Sequence, residues 1–242
     1  MKTLIANWKM NHTILESIGF VRHFLSLKPD LSKINVFLAS SFISLYPLQQ
    51  EIAKSGSSLS LCAQNMYMES KGAFTGEVSA EMIRSAGCSA VLIGHSERRS
   101  LFHETSENVY RKYQTALEFE IMPIVCFGES LDTYNKKDTV PFIKSQIDMF
   151  PSNHELLFAY EPIWSIGSGL IPSKTEIEVV VEFVKKMFPR AKVLYGGSVN
   201  PKNIDMLCSL QSIDGFLVGG ASLLAESLFS ILNSMIKIDS SS

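Results

Sequence analysis

Short runs of apolar, β-branched or aromatic residues recur along the whole chain at a nearly constant interval, and this repeat constrains the fold more than any other feature. The runs are Thr3–Asn7, Asn35–Ala39, Leu59–Ala63, Ala90–Gly94, Met122–Cys126, Leu157–Tyr160, Lys192–Tyr195 and Gly215–Val218. Their starts lie roughly 30 residues apart, the length of one strand plus its crossover helix. Each run is almost continuously apolar rather than alternating, as strands covered on both faces are. Between them lie helix-like stretches with readable ends. Thr13 with Glu16 and Ser173 with Glu176 have capping-box spacing. Asn200-Pro201 reads as an N-cap followed by proline at the first helical position. Ser79–Ala86 stops at Gly87. Three apolar stripes predict core-facing helix sides: Ile14, Ile18, Val21 and Leu25; Ile177, Val180, Val181 and Val184; Leu224, Leu228, Ile231 and Met235. Ser240–Ser242 reads as a frayed tail. Eight units without a linker predict a closed (β/α)8 barrel, α/β in class, forming a single domain over residues 1–242. A doubly wound open sheet is the alternative. It usually carries a glycine-rich loop after its first strand, whereas this strand ends in Asn7-Trp8-Lys9.

Composition narrows the function. A chain of 242 residues, 46% hydrophobic and 19% charged, can bury a core without disulfides or metals and is too apolar for disorder. Twenty-two basic against 24 acidic residues leave a formal charge of −2, which argues against nucleic-acid and membrane-surface partners. Cys62, Cys126 and Cys208 lie in or beside apolar runs and read as buried thiols, while Cys88 follows a glycine and reads as a turn residue. None has zinc-site spacing, and the set suits a reducing compartment. Met1-Lys2 leads directly into the first strand, without a signal-peptide pattern. The longest uncharged stretch, Ile34 to Gln50, carries Asn, Ser, Gln and Pro and does not suit a bilayer span. These features predict a soluble, cytoplasmic protein.

Chemistry in such a barrel is built at the carboxyl ends of the strands. There the sequence places Asn7 and Lys9 after strand 1, His95-Ser96-Glu97-Arg98-Arg99 after strand 4 and Glu161-Pro162 after strand 6. Gly196-Gly197-Ser198 follows strand 7 and Gly219-Gly220 follows strand 8. Each has an ordinary explanation: a solvated lysine, a strand-ending charge, a solvated helical turn, tight glycine turns. Those explanations do not account for all five falling on one rim. Glycine turns that open helices present free N–H groups to a phosphate. A strand-end carboxylate can take a proton from the carbon beside a carbonyl. A lysine and a neutral histidine can then stabilise the oxygens of the resulting enediolate.

The residues that carry this chemistry also carry a resemblance. Asn7-Trp8-Lys9-Met10-Asn11, Gly72-Ala73-Phe74-Thr75-Gly76-Glu77 and Ile93-Gly94-His95-Ser96-Glu97-Arg98-Arg99 resemble the triosephosphate isomerase family. So do Ala159-Tyr160-Glu161-Pro162-Ile163-Trp164, Tyr195-Gly196-Gly197-Ser198-Val199 and Leu217-Val218-Gly219-Gly220-Ala221-Ser222, in the same order along the chain. The resemblance implies interconversion of dihydroxyacetone phosphate and D-glyceraldehyde 3-phosphate in glycolysis and gluconeogenesis, with no cofactor and no metal. It implies Glu161 as the base, His95 as a neutral electrophile, Lys9 as the positive charge on the substrate oxygens and Asn7 as the residue that orients Lys9. Glu97 would partner Lys9, and Ser96 would partner Glu161 at rest. Backbone N–H groups of Gly167, Ser198, Gly219 and Gly220 would hold the phosphate. Pro162, Ile163, Trp164, Ser165, Ile166, Ser168 and Gly169 would belong to a lid, with Ile166 and Leu217 closing over the base. The family's loop tip implies a homodimer, in which Phe74 and Thr75 enter the neighbouring subunit and Glu77 pairs with Arg98 across the interface.

The lid departs from the family pattern at Ser165, Ser168 and Leu170, where alanine, threonine and a basic residue are more frequent, and Pro172 stiffens its distal end. Residues 129–141 read as surface sequence without a function. Two other readings are weaker. A Schiff-base aldolase needs a lysine where strand 6 ends in glutamate, and an inactive binding barrel should lack one of Lys9, His95 and Glu161.

Overall fold

The apolar runs form strands within two residues of their predicted starts, because β-branched and aromatic side chains fit a pleated surface packed on both sides. In this computed structural model, which describes residues 1–167 and 170–239, they are β1 (Lys2–Asn7), β2 (Ile34–Ser40), β3 (Ser60–Ala63), β4 (Cys88–Ile93), β5 (Met122–Phe127), β6 (Leu157–Tyr160), β7 (Lys192–Tyr195) and β8 (Gly215–Val218). All pairings are parallel between sequence neighbours, and β8 returns to β1 with Ile5 beside Leu217. The described residues therefore close a barrel in the order β1 to β8. The helices of its outer ring are α1 (Ile14–Ser26), α2 (Phe42–Ser55), α3 (Ala80–Ser85), α4 (Ser96–Leu101), α5 (Ser106–Glu118), α6 (Leu131–Asn135), α7 (Thr139–Ile147), α8 (Lys174–Met187), α9 (Ile204–Cys208) and α10 (Ala225–Asp239).

Strand alternation divides the apolar residues into two layers. Leu4, Val36, Leu61, Val91, Val125 and Phe158 face outward to the helices. Ile5, Phe37, Ala90, Cys126, Ala159 and Leu217 fill the barrel. The same period carries the inward side from Ile5 to Asn7 and from Ala159 to Glu161, which aims both at the carboxyl mouth.

Both predicted capping boxes form. Thr13 and Ser173 each accept from the backbone of the glutamate three residues on, whose side chain bonds back. Several expectations need correction. Helix α1 buries Val21 as predicted, but with Ser17, Phe20 and Phe24; of the rest of the predicted stripe Ile18 and Leu25 are only half-buried and Ile14 is exposed. Trp8 packs edge-on against Phe20 at 4.8 Å and Phe20 stacks on Phe24 at 6.1 Å, so aromatic packing sets the helix rotation. Leu224 is exposed just before α10, whereas Leu228, Ile231 and Met235 are buried as predicted. Asn200 starts a turn, accepting from Asn203 and Ile204, and α9 begins only at Ile204. The glycine pair after β7 thus opens no helix. Cys88 is the buried first residue of β4 rather than a turn residue, and burial pushes its thiol up to about 12. The predicted tail, Ser240–Ser242, lies outside the described residues. Among the described residues no helix is long and apolar enough to cross a membrane.

Candidate active site

The carboxyl mouth holds a cleft of about 350 Å³ lined by Asn7, Lys9, His95, Glu161, Ile166, Gly167, Ser198, Leu217, Gly219 and Gly220. Residues from β1, β4, β6, β7 and β8, far apart in sequence, thus meet in one place.

Lys9 sits just beyond β1 in a left-handed conformation, φ 54°, unusual for a side chain with a β-carbon. Local bonds hold it there. Its N–H donates to Asn7 Oδ1 at 3.0 Å, and its carbonyl accepts from Gln64 Nε2 at 2.8 Å. Its ammonium lies 2.5 Å from Glu97 Oε1, so Glu97 contacts Lys9 without lining the cleft.

His95 is the N-cap of α4. Its Nδ1 accepts the Glu97 N–H at 3.3 Å, which leaves Nε2 to carry the proton of a neutral ring. Nε2 lies 3.0 Å from Glu161 Oε1, and Glu161 Oε2 accepts the Ser96 N–H at 3.2 Å. Ser96 therefore meets Glu161 through its backbone. Burial alone would raise the Glu161 pKa, but His95 and the Ser96 N–H hold its carboxyl below the ordinary range. Burial likewise opposes a charged His95, yet the charge of Glu161 and its hydrogen bond together outweigh it and raise the ring above its ordinary value. Both shifts belong to the pair, so when Glu161 leaves, burial and the α4 N-terminus favour neutral His95.

Close backbone approach fixes Glu161. A β-carbon on Gly128 would lie 1.8 Å from the Glu161 carbonyl oxygen, so only glycine fits there. On the opposite wall, Gly219 precedes a 3-10 turn, Gly220–Ser222, whose first N–H groups have no acceptor within the turn. Ser198 is engaged differently. Its Oγ donates to the Ser165 carbonyl at 2.6 Å and its N–H to Ser165 Oγ at 3.4 Å.

Of the other predicted residues, Pro162, Ile163, Trp164 and Ser165 do not line the cleft. Ser168 and Gly169 lie outside the described residues. Phe74, Thr75 and Glu77 are exposed away from the cleft, and Arg98 reaches Glu104 at 3.5 Å with its guanidinium over Phe102.

Sequence reasoning gave no role to Gln64, Arg99 or Glu129. Gln64 Nε2 also donates to the Ala39 carbonyl at 2.8 Å. Arg99 ties the His95 turn to the barrel, donating to the Gly94 carbonyl at 2.8 Å and the Cys126 carbonyl at 3.2 Å. Glu129 is buried, which raises its pKa, and its Oε1 accepts from Trp164 Nε1 at 3.0 Å and Tyr160 OH at 3.2 Å. Gln64 and Glu129 lie one and two residues past β3 and β5, as Glu161 and Lys9 lie one and two residues past β6 and β1.

Comparison with known proteins converges with this geometry. The family model described as triosephosphate isomerase matches residues 2–235. Triosephosphate isomerase of Endomicrobium trichonymphae is 42% identical over 241 residues, covering 93% of this chain and 96% of that protein. That of Alkaliphilus metalliredigens is 39% identical over 248 residues, covering 96% and 99%. The crystal structure of triosephosphate isomerase from Bartonella henselae superposes with a TM-score of 0.85 at 28% identity, covering 96% of this chain and 98% of that one. Matched from its first strand to its last helix, the chain belongs to the triosephosphate isomerase family.

Proposed function

We propose that the cleft at the carboxyl mouth is where this chain interconverts dihydroxyacetone phosphate and D-glyceraldehyde 3-phosphate, with Glu161, His95 and Lys9 as the reacting groups. The observation that carries the assignment is their convergence: a carboxylate 3.0 Å from an imidazole, a lysine and two glycine turns line one cavity. Substrate phosphate lies against the N–H groups of Gly167, Ser198, Gly219 and Gly220, and reaching Ser198 displaces the long bond to Ser165. Glu161 leaves His95, takes a proton from one carbon and returns it to the neighbouring one. Neutral His95 donates from Nε2 to the enediolate oxygens while Lys9, oriented by Asn7 and held by Glu97, supplies positive charge. General base action is worth about 10²–10⁴-fold. A well-placed oxyanion donor adds about 3–4 kcal/mol, so base and electrophiles are both required.

The 162–169 lid covers the reaction and excludes water, and Ile166 with Leu217 raises the Glu161 pKa by desolvating it. A homodimer is the second part of the proposal. Met10, Leu15, Ile43, Phe74, Met82 and Phe102 are exposed apolar side chains, and all lie in the first four βα units, which form one continuous side of the barrel. Thr75 reaches the neighbouring site from this side, and Glu77 pairs with Arg98 across it. The reading includes a cytoplasmic setting, where the buried cysteines stay reduced, and one barrel domain over the chain. A coupled isomerase assay of wild type beside Glu161→Gln tests the chemistry. The variant should lose nearly all turnover; similar rates for the two would sink the assignment.

A further inference from the structure

Residues 129–141 have no function legible in the sequence, yet both ends of the 162–173 loop rest on them. At the proximal end, the Ile163 N–H donates to the Glu129 carbonyl at 3.0 Å and Trp164 Nε1 donates to Glu129 Oε1 at 3.0 Å. At the distal end, Ser173 caps α8, with its N–H and Oγ each donating to Glu176 Oε2 at 2.7 Å. Tyr134 of α6 touches both. Its ring lies 4.5 Å from the Trp164 ring, tilted 34°, and its hydroxyl donates to Glu176 Oε1 at 2.5 Å.

The space behind these contacts is not filled. A half-open pocket of about 160 Å³ lies among Tyr134, Tyr160, Trp164, Pro172, Glu176 and Val179. Side chains across a cavity exert no packing force on one another, so the Tyr134 link does not duplicate a packed interior. A loop anchored at two ends keeps its shape only while the spacing of those ends is fixed.

We propose that Tyr134 is a positioning residue for the isomerisation: it braces Trp164 at the proximal end of the loop against Glu176 at the distal end, so that the loop covers the enediolate until it is reprotonated. This rests on the reading of the cleft given above. The chemistry supplies a readout. If cover fails early, the enediolate electron pair expels phosphate as the carbon–oxygen bond to the phosphate group breaks. The products are inorganic phosphate and, after tautomerisation, an α-ketoaldehyde. Phosphate released per isomerisation turnover therefore measures how well the loop stays shut.

Tyr134→Phe keeps the ring on Trp164 and removes only the hydroxyl. It should raise the phosphate released per turnover about two- to tenfold, the factor that one net hydrogen bond represents, with Tm lowered by no more than about 2–4 °C. Tyr134→Ala, which also removes the ring contact, should raise it further. In a Glu176→Gln background, where capping is retained but the charged acceptor is gone, Tyr134→Phe should have a smaller effect. Phosphate release in Tyr134→Phe equal to wild type would overturn the brace. So would an equally large effect in the Glu176→Gln background, or a loss of activity that only follows a fall in Tm. A wild-type chain that fails to isomerise triose phosphates would instead overturn the reading of the cleft, and the brace with it.

Discussion

The left-handed backbone at Lys9 allows a prediction worked from few quantities. Holding a residue with a β-carbon there costs roughly 1–2 kcal/mol. Two neutral hydrogen bonds oppose that cost: Lys9 N–H to Asn7 Oδ1 at 3.0 Å, and Gln64 Nε2 to the Lys9 carbonyl at 2.8 Å. Each is worth about 1 kcal/mol net, so the pair is close in size to the strain and neither bond alone suffices. Gln64→Met keeps the length of the side chain and removes the donor. The Ala39 carbonyl, the other acceptor of Gln64, still receives the Trp8 N–H at 3.1 Å, so the damage concentrates on Lys9. A loss near 1 kcal/mol should lower Tm by about 2–4 °C in a domain of this size. It should also lower kcat/KM about fivefold or more, because an ammonium displaced by about 1 Å stabilises charge poorly. Steady-state isomerisation in the coupled assay and a thermal melt on the same preparation read both effects. A Gln64→Met enzyme with kcat/KM within about twofold of wild type would refute the reasoning, whatever its Tm.

Three further outcomes follow from the site. The Glu161–His95 pair stabilises the fold most between the ordinary carboxylate and histidine values, 4.5 and 6.5. Its carboxylate part is lost as pH falls through the lowered folded pKa of Glu161, and its histidine part as pH rises through the raised folded pKa of His95. The Tm difference between wild type and His95→Gln should therefore peak in that window; a difference independent of pH would contradict the pair. Ile166→Ala should weaken desolvation of the base, lowering kcat and moving the acid limb of the kcat profile to lower pH, and an unchanged profile with unchanged kcat would count against the lid. Thr75→Arg should push the chain toward monomer in sedimentation and reduce turnover, so a fully active dimeric variant would contradict the proposed interface.

The barrel was legible because its signal is repeated. Eight apolar runs at one spacing survive errors at any single boundary, and the two capping boxes fix helix starts by local bonding alone. Rotation of α1 was not legible, since Phe20 and Phe24 are chosen by Trp8, which lies outside the helix. Within the site, Asn7, Lys9, His95 and Glu161 stood out because charged or polar groups follow apolar strands. Gln64 and Glu129 occupy equivalent positions, but their work is visible only in three dimensions. One bonds the carbonyls of Lys9 and Ala39, from two different segments, and the other binds an indole 35 residues away. Tyr134 gave no sequence signal, because its partners are on two other elements.

The closed strand order has a consequence for how the reacting groups are kept in register. Lys9 and His95 project from β1 and β4, whereas Glu161 and the glycine turns project from β6, β7 and β8. The electrophiles and the base thus ride on opposite arcs of one ring, joined at the β4–β5 and β8–β1 seams. Any spreading at either seam changes the 3.0 Å separation of His95 and Glu161 without touching a residue of the cleft. At its far end the β8–β1 seam is held close, where a β-carbon on Gly215 would lie 1.9 Å from the Thr3 carbonyl oxygen. Proton transfer at the mouth of the barrel is in this sense gauged from its floor.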